Sequence, residues 1–223
     1  MRRQCDFLVL GSGIAGLSFA LRAAEVGTVL VVTKKSSSES ATNYAQGGIA
    51  AVVADDDSLE SHVADTLRAG AGLCDEGVVR FVVERGREAI QGLIDLGVHF
   101  DQRAGGPGFD LGKEGGHSHR RVLHAADFTG QEIERVLVQR CQEHPRIEIL
   151  THCLAVDLVT SEKLGLPGQI VQGLVRRRLH CTGLPLLLQI VGPASRDRCH
   201  APPGLSPDLE ARSVPVKKLT SKR

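Results

Sequence analysis

The chain of 223 residues has no tryptophan, one tyrosine and six phenylalanines, so that aromatic residues make up 3 % of it. A surface that stacks nucleic-acid bases needs exposed rings along a basic groove. Rings are scarce here and the net charge is only +1, so a nucleic-acid partner is not expected. Long apolar runs are also missing, and none approaches the roughly 20 residues that a membrane helix requires. The six cysteines (Cys5, Cys74, Cys141, Cys153, Cys181 and Cys199) include no C-x-x-C pair. Their spacing fits neither a zinc site nor a disulfide framework. Scattered thiols suit a reducing compartment, and the expected location is cytoplasmic. The N-terminal M-R-R-Q-C-D-F-L-V-L-G lacks a small-residue cleavage site and does not read as a signal peptide.

What is present is unevenly distributed. Residues 1–173 hold 17 Lys+Arg against 23 Asp+Glu, whereas residues 174–223 hold 10 against 3 and six of the nine prolines. Beyond Gly173 no period of 2 or 3.6 is sustained. The expected organisation is a folded domain over 1–173 and a divergent, disordered tail over 174–223.

Within the first part, the apolar run Asp6–Leu10 ends on Gly11 and fits a buried parallel strand. Leu17, Ala20, Leu21 and Ala24 then recur at helical spacing, Gly27 is a stop, and Thr28–Val32 is a second β-branched strand. Strand, glycine turn, helix and strand make a βαβ unit, and the fold class is α/β. Further helices are predicted over Asp56–Ala69, capped by Asp57 or Ser58, over Asp75–Leu96, stopped by Gly97, and over Thr129–Cys141. The second of these has Val78, Phe81, Val82, Ile90, Leu93 and Ile94 on its apolar side. Strands are predicted at 98–101 and, in two segments, over 147–159.

The turn between the first strand and helix is G-S-G-I-A-G, with Gly11, Gly13 and Gly16 in a G-x-G-x-x-G pattern. In that context the glycines allow a tight turn, approach of the backbone to a pyrophosphate, and close helix–strand packing, with the helix N-terminus facing the anion. The carboxylate usual at the end of the second strand is absent. The strand ends Val32-Thr33-Lys34-Lys35, and Glu39 is the nearest acid. Lys34 either reaches the adenosine half of a dinucleotide or is simply solvated.

A second concentration of chemistry is G-K-E-G-G-H-S-H-R-R at 112–121. His117, His119 and His124 could be read as metal ligands, but the cysteines or H-E-x-x-H carboxylate that would accompany them are missing. A charged loop capping a helix and a substrate pocket both remain open. Asp127 and Thr129 suit the N-cap of the following helix.

Four motifs in order, G-S-G-I-A-G-L-S, S-A-T-N-Y-A-Q-G-G-I-A-A, A-G-A-G-L-C-D and K-E-G-G-H-S-H-R-R-V-L-H-A-A-D-F-T-G, resemble the N-terminal part of the L-aspartate oxidase branch of the succinate dehydrogenase and fumarate reductase flavoprotein family. The resemblance covers roughly residues 5–173. It implies a Rossmann-like FAD-binding domain, here incomplete and followed by an irregular C-terminal tail. It also implies oxidation of L-aspartate to iminoaspartate, with oxygen or fumarate as acceptor, in quinolinate and NAD biosynthesis, and with quinolinate synthase as a partner.

Carried over position by position, the resemblance assigns Gly11, Ser12, Gly13, Ile14, Ala15 and Gly16 to the FAD pyrophosphate and Lys34 to the adenosine end. It assigns Ala41, Thr42, Asn43, Tyr44, Ala45, Gln46, Gly47 and Gly48 to the flavin side. The succinate dehydrogenase branch bonds FAD covalently through a histidine at the position of Ala41, so FAD is expected to be non-covalent here. Substrate contacts fall on Glu114, His117, His119 and Arg120, with Arg121 as an alternative fork. Two carboxylates call for Arg and His donors, and the substrate's ammonium calls for an anion, for which Glu114 is the only candidate in the cluster. The family's longer chains carry a capping domain with an acid/base arginine and an A-T-G-G segment. The present chain reads Q-I-V-G-P-A-S-R at 189–196 instead. A truncated, weakly active or inactive fragment is therefore expected, with no catalytic residue assigned. A non-catalytic FAD-binding fragment and a fumarate-reductase-like flavoprotein are the alternatives.

Overall fold

The computed structural model describes residues 3–160, 171–178 and 188–191. Its elements in chain order are β1 (Arg3–Gln4), β2 (Phe7–Leu10), α1 (Ile14–Ala23), β3 (Val29–Val32), β4 (Ile49–Ala50), α2 (Leu59–Ala69), α3 (Glu76–Leu96), β5 (Leu111–Gly112), β6 (Val122–Leu123), α4 (Thr129–Glu143), β7 (Ile147–Leu150), β8 (Cys153–Thr160), β9 (Val171–Arg178) and β10 (Leu188–Val191).

The expected βαβ unit is present. β2, β3 and β7 form a parallel sheet in that order, with Leu8 opposite Leu30 and Leu30 opposite Glu148. All four residues of β3 are buried, as a central strand covered on both faces requires. α1 packs against this sheet through Leu17, Ala20 and Ala23, and α4 lies alongside through Ile133, Val136, Leu137 and Cys141. Burial pushes the Cys141 thiol up to about 12, which leaves it an inert core residue. Cys5, Cys74, Cys141 and Cys153 form no disulfide among themselves. Among the described residues no helix is long and apolar enough to cross a membrane.

A second sheet, β4–β6–β5, is antiparallel and small, pairing Ile49 with Leu123 and Leu111 with Leu123. It connects the segment after residue 48 to the segment after residue 121. The third sheet has the order β1–β10–β9–β8. β9 crosses the expected boundary at residue 173 and β10 lies beyond it. The remainder of the expected tail, and Cys181 and Cys199, lie outside the described residues.

Local signals set the helix ends. The Ser58 hydroxyl accepts from Ser61 N to cap α2, and the Asp75 carboxylate accepts from Val78 N to cap α3. Gly97 ends α3 in the left-handed region, with Val98 N donating to Leu93 O.

Three expectations need correction. Residues 98–101 join no sheet. Their N–H groups go instead to Leu93 O (Val98), a Glu132 carboxylate oxygen (His99) and His124 O (Asp101). On α3 only Val83, Ile90 and Leu93 are buried, while Val78, Phe81 and Val82 are 55–60 % exposed. α3 packs against α2, and Arg85 covers part of the exposed Phe81 with its guanidinium 3.8 Å from the ring centre. Neither Asp127 nor Thr129 caps α4. Phe128 holds the N-cap position without a side-chain hydrogen bond, and Thr129 is the first helical residue.

Candidate FAD cradle and substrate cluster

The glycine loop sits between the C-terminal end of β2 and the first turn of α1. Gly11 N donates to Val32 O, which fixes the loop against the end of β3. The Ser12 hydroxyl is buried and donates to Thr33 Oγ1 at 3.2 Å, so this side chain secures the two strand ends rather than facing outward. Gly16 is sterically required, because a Cβ there would overlap the Gly11 carbonyl oxygen. The helix begins with Leu17 N on Gly13 O, and its first turn carries no acidic residue. The N–H groups of Ala15 and Gly16 therefore have no partner within the helix, and no first-turn carboxylate opposes an anion.

The segment 41–48 approaches this loop from the other side. Thr42 Oγ1 accepts from Ile14 N at 3.0 Å, and the Thr42 and Asn43 side chains are half-buried while 44–48 are exposed. The Tyr44 hydroxyl donates to Glu39, which also pairs with Lys35, and both partners lower the Glu39 carboxyl pKa. Lys34 is exposed at the end of β3, beside Thr33.

α4 supports this segment from below. Gly130 N donates to Ala45 O at 3.0 Å, and Thr129 Oγ1 donates to Gly47 O at 3.3 Å. A Cβ at Gly130 would overlap the Thr42 carbonyl oxygen, so only glycine lets the helix come this close. The strands then continue the connection: Ala51 N donates to Arg121 O at 2.9 Å, next to the β4–β6 pairing. Segments 11–16, 41–48 and 121–123, distant in sequence, are thereby tied together. A cradle of exposed backbone with free helix N–H groups and no acid in the first turn suits the diphosphate of a dinucleotide.

The cluster at 113–121 divides into a surface part and a buried part. Glu114 is exposed, and among the described residues its carboxylate makes no ion pair; its carbonyl accepts from His117 N to close a turn. Arg120 is exposed, with one terminal nitrogen donating to Leu111 O at 3.2 Å. His119 is half-buried, with Nδ1 3.0 Å from both Ser61 Oγ and Ser118 Oγ and 3.5 Å from Asp57. His117 packs edge-on to His62 at 6.0 Å between ring centres. His124 is drawn away to Asp101 at 3.0 Å. The three histidines are thus drawn to different partners, and among the described residues no group of His, Cys, Asp and Glu side chains could hold a metal ion.

Arg121 is not a substrate fork. Its side chain is fully buried and donates to Asp57 through Nε and a terminal nitrogen, both at 2.8 Å, and to Asp65 through the other terminal nitrogen at 2.7 Å. A further bond reaches Ser61 Oγ at 3.1 Å. Burial alone would raise the Asp57 carboxyl, but the hydrogen bonds from Arg121 and the Ser58 backbone outweigh it and hold Asp57 below its ordinary range. Asp65 is held far below the usual carboxylate range, first by the Ser118 N–H and then, against burial, by the Ser118 hydroxyl and Arg121. His62 is pushed towards the neutral form by burial, with the Arg121 charge and His117 adding to it.

The residues under the cluster (Asp57, Ser61, His62 and Asp65) were not among those expected from the sequence. The signal was present: Asp57, Ser61 and Asp65 recur every four residues, a polar stripe that begins just before the N-cap Ser58 and runs along α2. Such a stripe reads as solvent-facing until a buried cation is known to lie opposite.

Comparison with known proteins agrees with this geometry. The profile of the FAD binding domain family matches residues 6–184. The L-aspartate oxidase of Vibrio cholerae is 54 % identical over 166 residues, which cover 73 % of this chain and 31 % of that protein. The chloroplastic L-aspartate oxidase of Arabidopsis thaliana is 52 % identical over 157 residues, covering 70 % and 24 %. The chain thus spans about a third or less of the length of these relatives. Among solved structures, an E. coli quinol fumarate reductase FrdA variant superposes with a TM-score of 0.74 at 28 % identity, covering 86 % of this chain and 32 % of that one. The Sdh1 complex of Mycobacterium smegmatis gives 0.73 at 27 %, covering 86 % and 34 %. The strand–glycine loop–helix cradle and the family match over 6–184 together establish that this chain belongs to the FAD binding domain family and that its cofactor is FAD.

Proposed function

We propose that this chain is the FAD-binding part of an L-aspartate oxidase, oxidising L-aspartate to iminoaspartate with oxygen or fumarate as acceptor. The observation that carries the reading is the 54 % identity to the V. cholerae L-aspartate oxidase over a stretch that includes Glu114. Gly11–Gly16 would hold the diphosphate, Lys34 the adenosine end, and residues 41–48 the flavin side, with Ala41 leaving FAD non-covalent. FAD bound there would supply a two-electron oxidant for the substrate's α-carbon.

The chain's own residues would act on charge and position. Glu114, exposed and without an ion-pair partner among the described residues, is available to the substrate ammonium. Arg120, His117 and His119 stand within the same loop as donors for carboxylates. Arg121, by tying 121–123 to α2, holds that loop in place. No described residue takes the role of base at the α-carbon, so turnover by this chain alone is a separate question from binding. A cytoplasmic setting, a place in quinolinate and NAD synthesis, and contact with quinolinate synthase belong to the same proposal.

Purified chain loaded with FAD tests it. L-Aspartate should perturb the flavin absorbance spectrum, succinate should do so much less, and Glu114→Gln should weaken the aspartate effect about tenfold or more, the scale of losing one charge-assisted contact. Equal responses to aspartate and succinate, or an unchanged Glu114→Gln, would overturn the substrate assignment. Peroxide formation measured in parallel separates a catalytic chain from one that only binds FAD.

A further inference from the structure

The His119 ring turns Nδ1 inward, 3.0 Å from Ser61 Oγ, 3.0 Å from Ser118 Oγ and 3.5 Å from Asp57 Oδ1. The two hydroxyl oxygens lie 2.9 Å apart, so these three atoms form a closed triangle. Counting protons decides which of them donates. The Ser118 hydroxyl gives its single proton to Asp65 Oδ2 at 2.7 Å. Asp65, held far below the usual carboxylate range first by the Ser118 N–H, is ionised and can only accept. Arg121 has donors alone, and it occupies one lone pair of Ser61 Oγ at 3.1 Å. The Ser61 proton is then the only hydroxyl proton left to the triangle. With a bare Nδ1, that one proton would have to serve three contacts, and a lone pair would face the Asp57 carboxylate. With a proton on Nδ1, Ser61 donates to Ser118 Oγ, and the Nδ1–H is shared between the hydroxyl oxygens and Asp57. Only the second arrangement satisfies the network. A neutral imidazole has a single N–H, so Nε2 is the bare nitrogen, on the outer side of a side chain that is 39 % exposed.

We propose that His119 meets L-aspartate as the neutral ring: with its proton held at Nδ1, it offers Nε2 as a hydrogen-bond acceptor to the substrate ammonium, alongside the carboxylate of Glu114 in the same loop. Serving a carboxylate through Nε2 would require the imidazolium. The network fixes the more specific role for the neutral ring and leaves the carboxylates to Arg120 and His117. The inference rests on the reading of 112–121 as the substrate loop and deepens it. The other charged and titratable groups around the network come from two elements. Asp57, His62 and Asp65 stand on the α2 side. Asp57 and Asp65 are paired with Arg121, and burial pushes His62 towards its neutral form. In the loop itself, Lys113 Nζ donates to Ser118 O at 3.0 Å, and His117 lies against His62.

The test uses the FAD-loaded 223-residue chain, with L-aspartate and succinate titrations read from the flavin absorbance. They are run at about pH 5 and about pH 8, the span in which imidazoles titrate. Protonation of Nε2 competes with the ammonium, so aspartate affinity should rise about tenfold from the lower pH to the upper. A carboxylate donor would give the opposite sign, because it acts as the imidazolium. Succinate has no ammonium and should show no such rise. His119→Gln has no titrating group and should lose the rise with aspartate; His119→Asn takes its place if the Gln variant does not fold. Histidine 15N NMR of the parent locates the proton directly. At about pH 8 the His119 signals, recognised by their loss in the variant, should show a protonated Nδ1 and a bare Nε2. A proton at Nε2 in the neutral parent overturns the proposal. So does an aspartate affinity that falls with rising pH, a rise that survives in the variant, or the same rise with succinate. If the parent flavin does not respond to aspartate at all, the substrate reading is wrong and the inference falls with it. If the response is there and depends on Glu114 but has the opposite pH sign, only the inference fails.

Discussion

Arg121→Met removes the cation that lets two aspartates stay in the interior. The guanidinium is fully buried and makes three bonds of 2.7–2.8 Å to Asp57 and Asp65, whose side chains are 0 % and 3 % exposed. Methionine follows much of the arginine stem, so the dominant effect is electrostatic: two carboxylates out of water with their countercharge gone. Removing one partner of a buried ion pair costs about 3–5 kcal/mol. A domain of this kind has about 5–15 kcal/mol in all, so the variant is expected to be marginal. The acid limb of the experiment supplies the sign. Both aspartates have lowered pKa values in the folded protein. The network's contribution is therefore present above the ordinary aspartate pKa of about 3.9 and is lost as pH falls through the folded values. The gap between parent and Arg121→Met should be widest near neutral pH and should narrow below about pH 4. Urea unfolding followed by far-UV circular dichroism at both pH values measures it. Adding Asp57→Asn and Asp65→Asn should recover much of the loss by leaving no unpaired charge. A deficit under about 1 kcal/mol at neutral pH, or one that does not narrow in acid, would refute the structural role and return Arg121 to the substrate site.

Two further outcomes follow from the packing. Gly130→Ala forces a methyl group into the Thr42 carbonyl, so it should cost about 1–3 kcal/mol in urea unfolding and weaken FAD retention as the 42–47 segment shifts; an unaltered FAD affinity would show that α4 does not support the cradle. On α3, Phe81→Ser should change stability by no more than about 0.5 kcal/mol, whereas Ile90→Ala should cost about 2–5 kcal/mol. Equal losses at the two positions would mean that the exposed turn of α3 is covered after all.

Much of the fold was legible because its signals are local. The G-x-G-x-x-G turn, the apolar strands on either side, the caps at Ser58 and Asp75 and the stop at Gly97 each act over a few residues, through sterics and backbone hydrogen bonds. The same holds for the strands at 147–150 and 153–160, where β-propensity and sheet coincide. The segment 98–101 has a similar pattern, but His99 N and Asp101 N go to a Glu132 carboxylate oxygen and to His124 O, acceptors more than twenty residues away in sequence.

The candidate site divides along the same line. The amino-acid sequence by itself determined which residues could serve: glycines that permit close approach, a lone carboxylate at Glu114, and imidazoles and guanidinium groups in one short loop. Only the tertiary structure decided which of them are free to act. Arg120 and Arg121 are neighbours of identical chemistry, yet one is exposed while the other is spent on Asp57 and Asp65, 64 and 56 residues away. Glu134 is likewise fully buried, on the helix α4 that docks under residues 42–47, while Glu132 of the same helix stays partly exposed. The physical reason is that the state of a charged side chain depends on the dielectric and the partners around it. Both come from chain segments that sequence distance does not bring together.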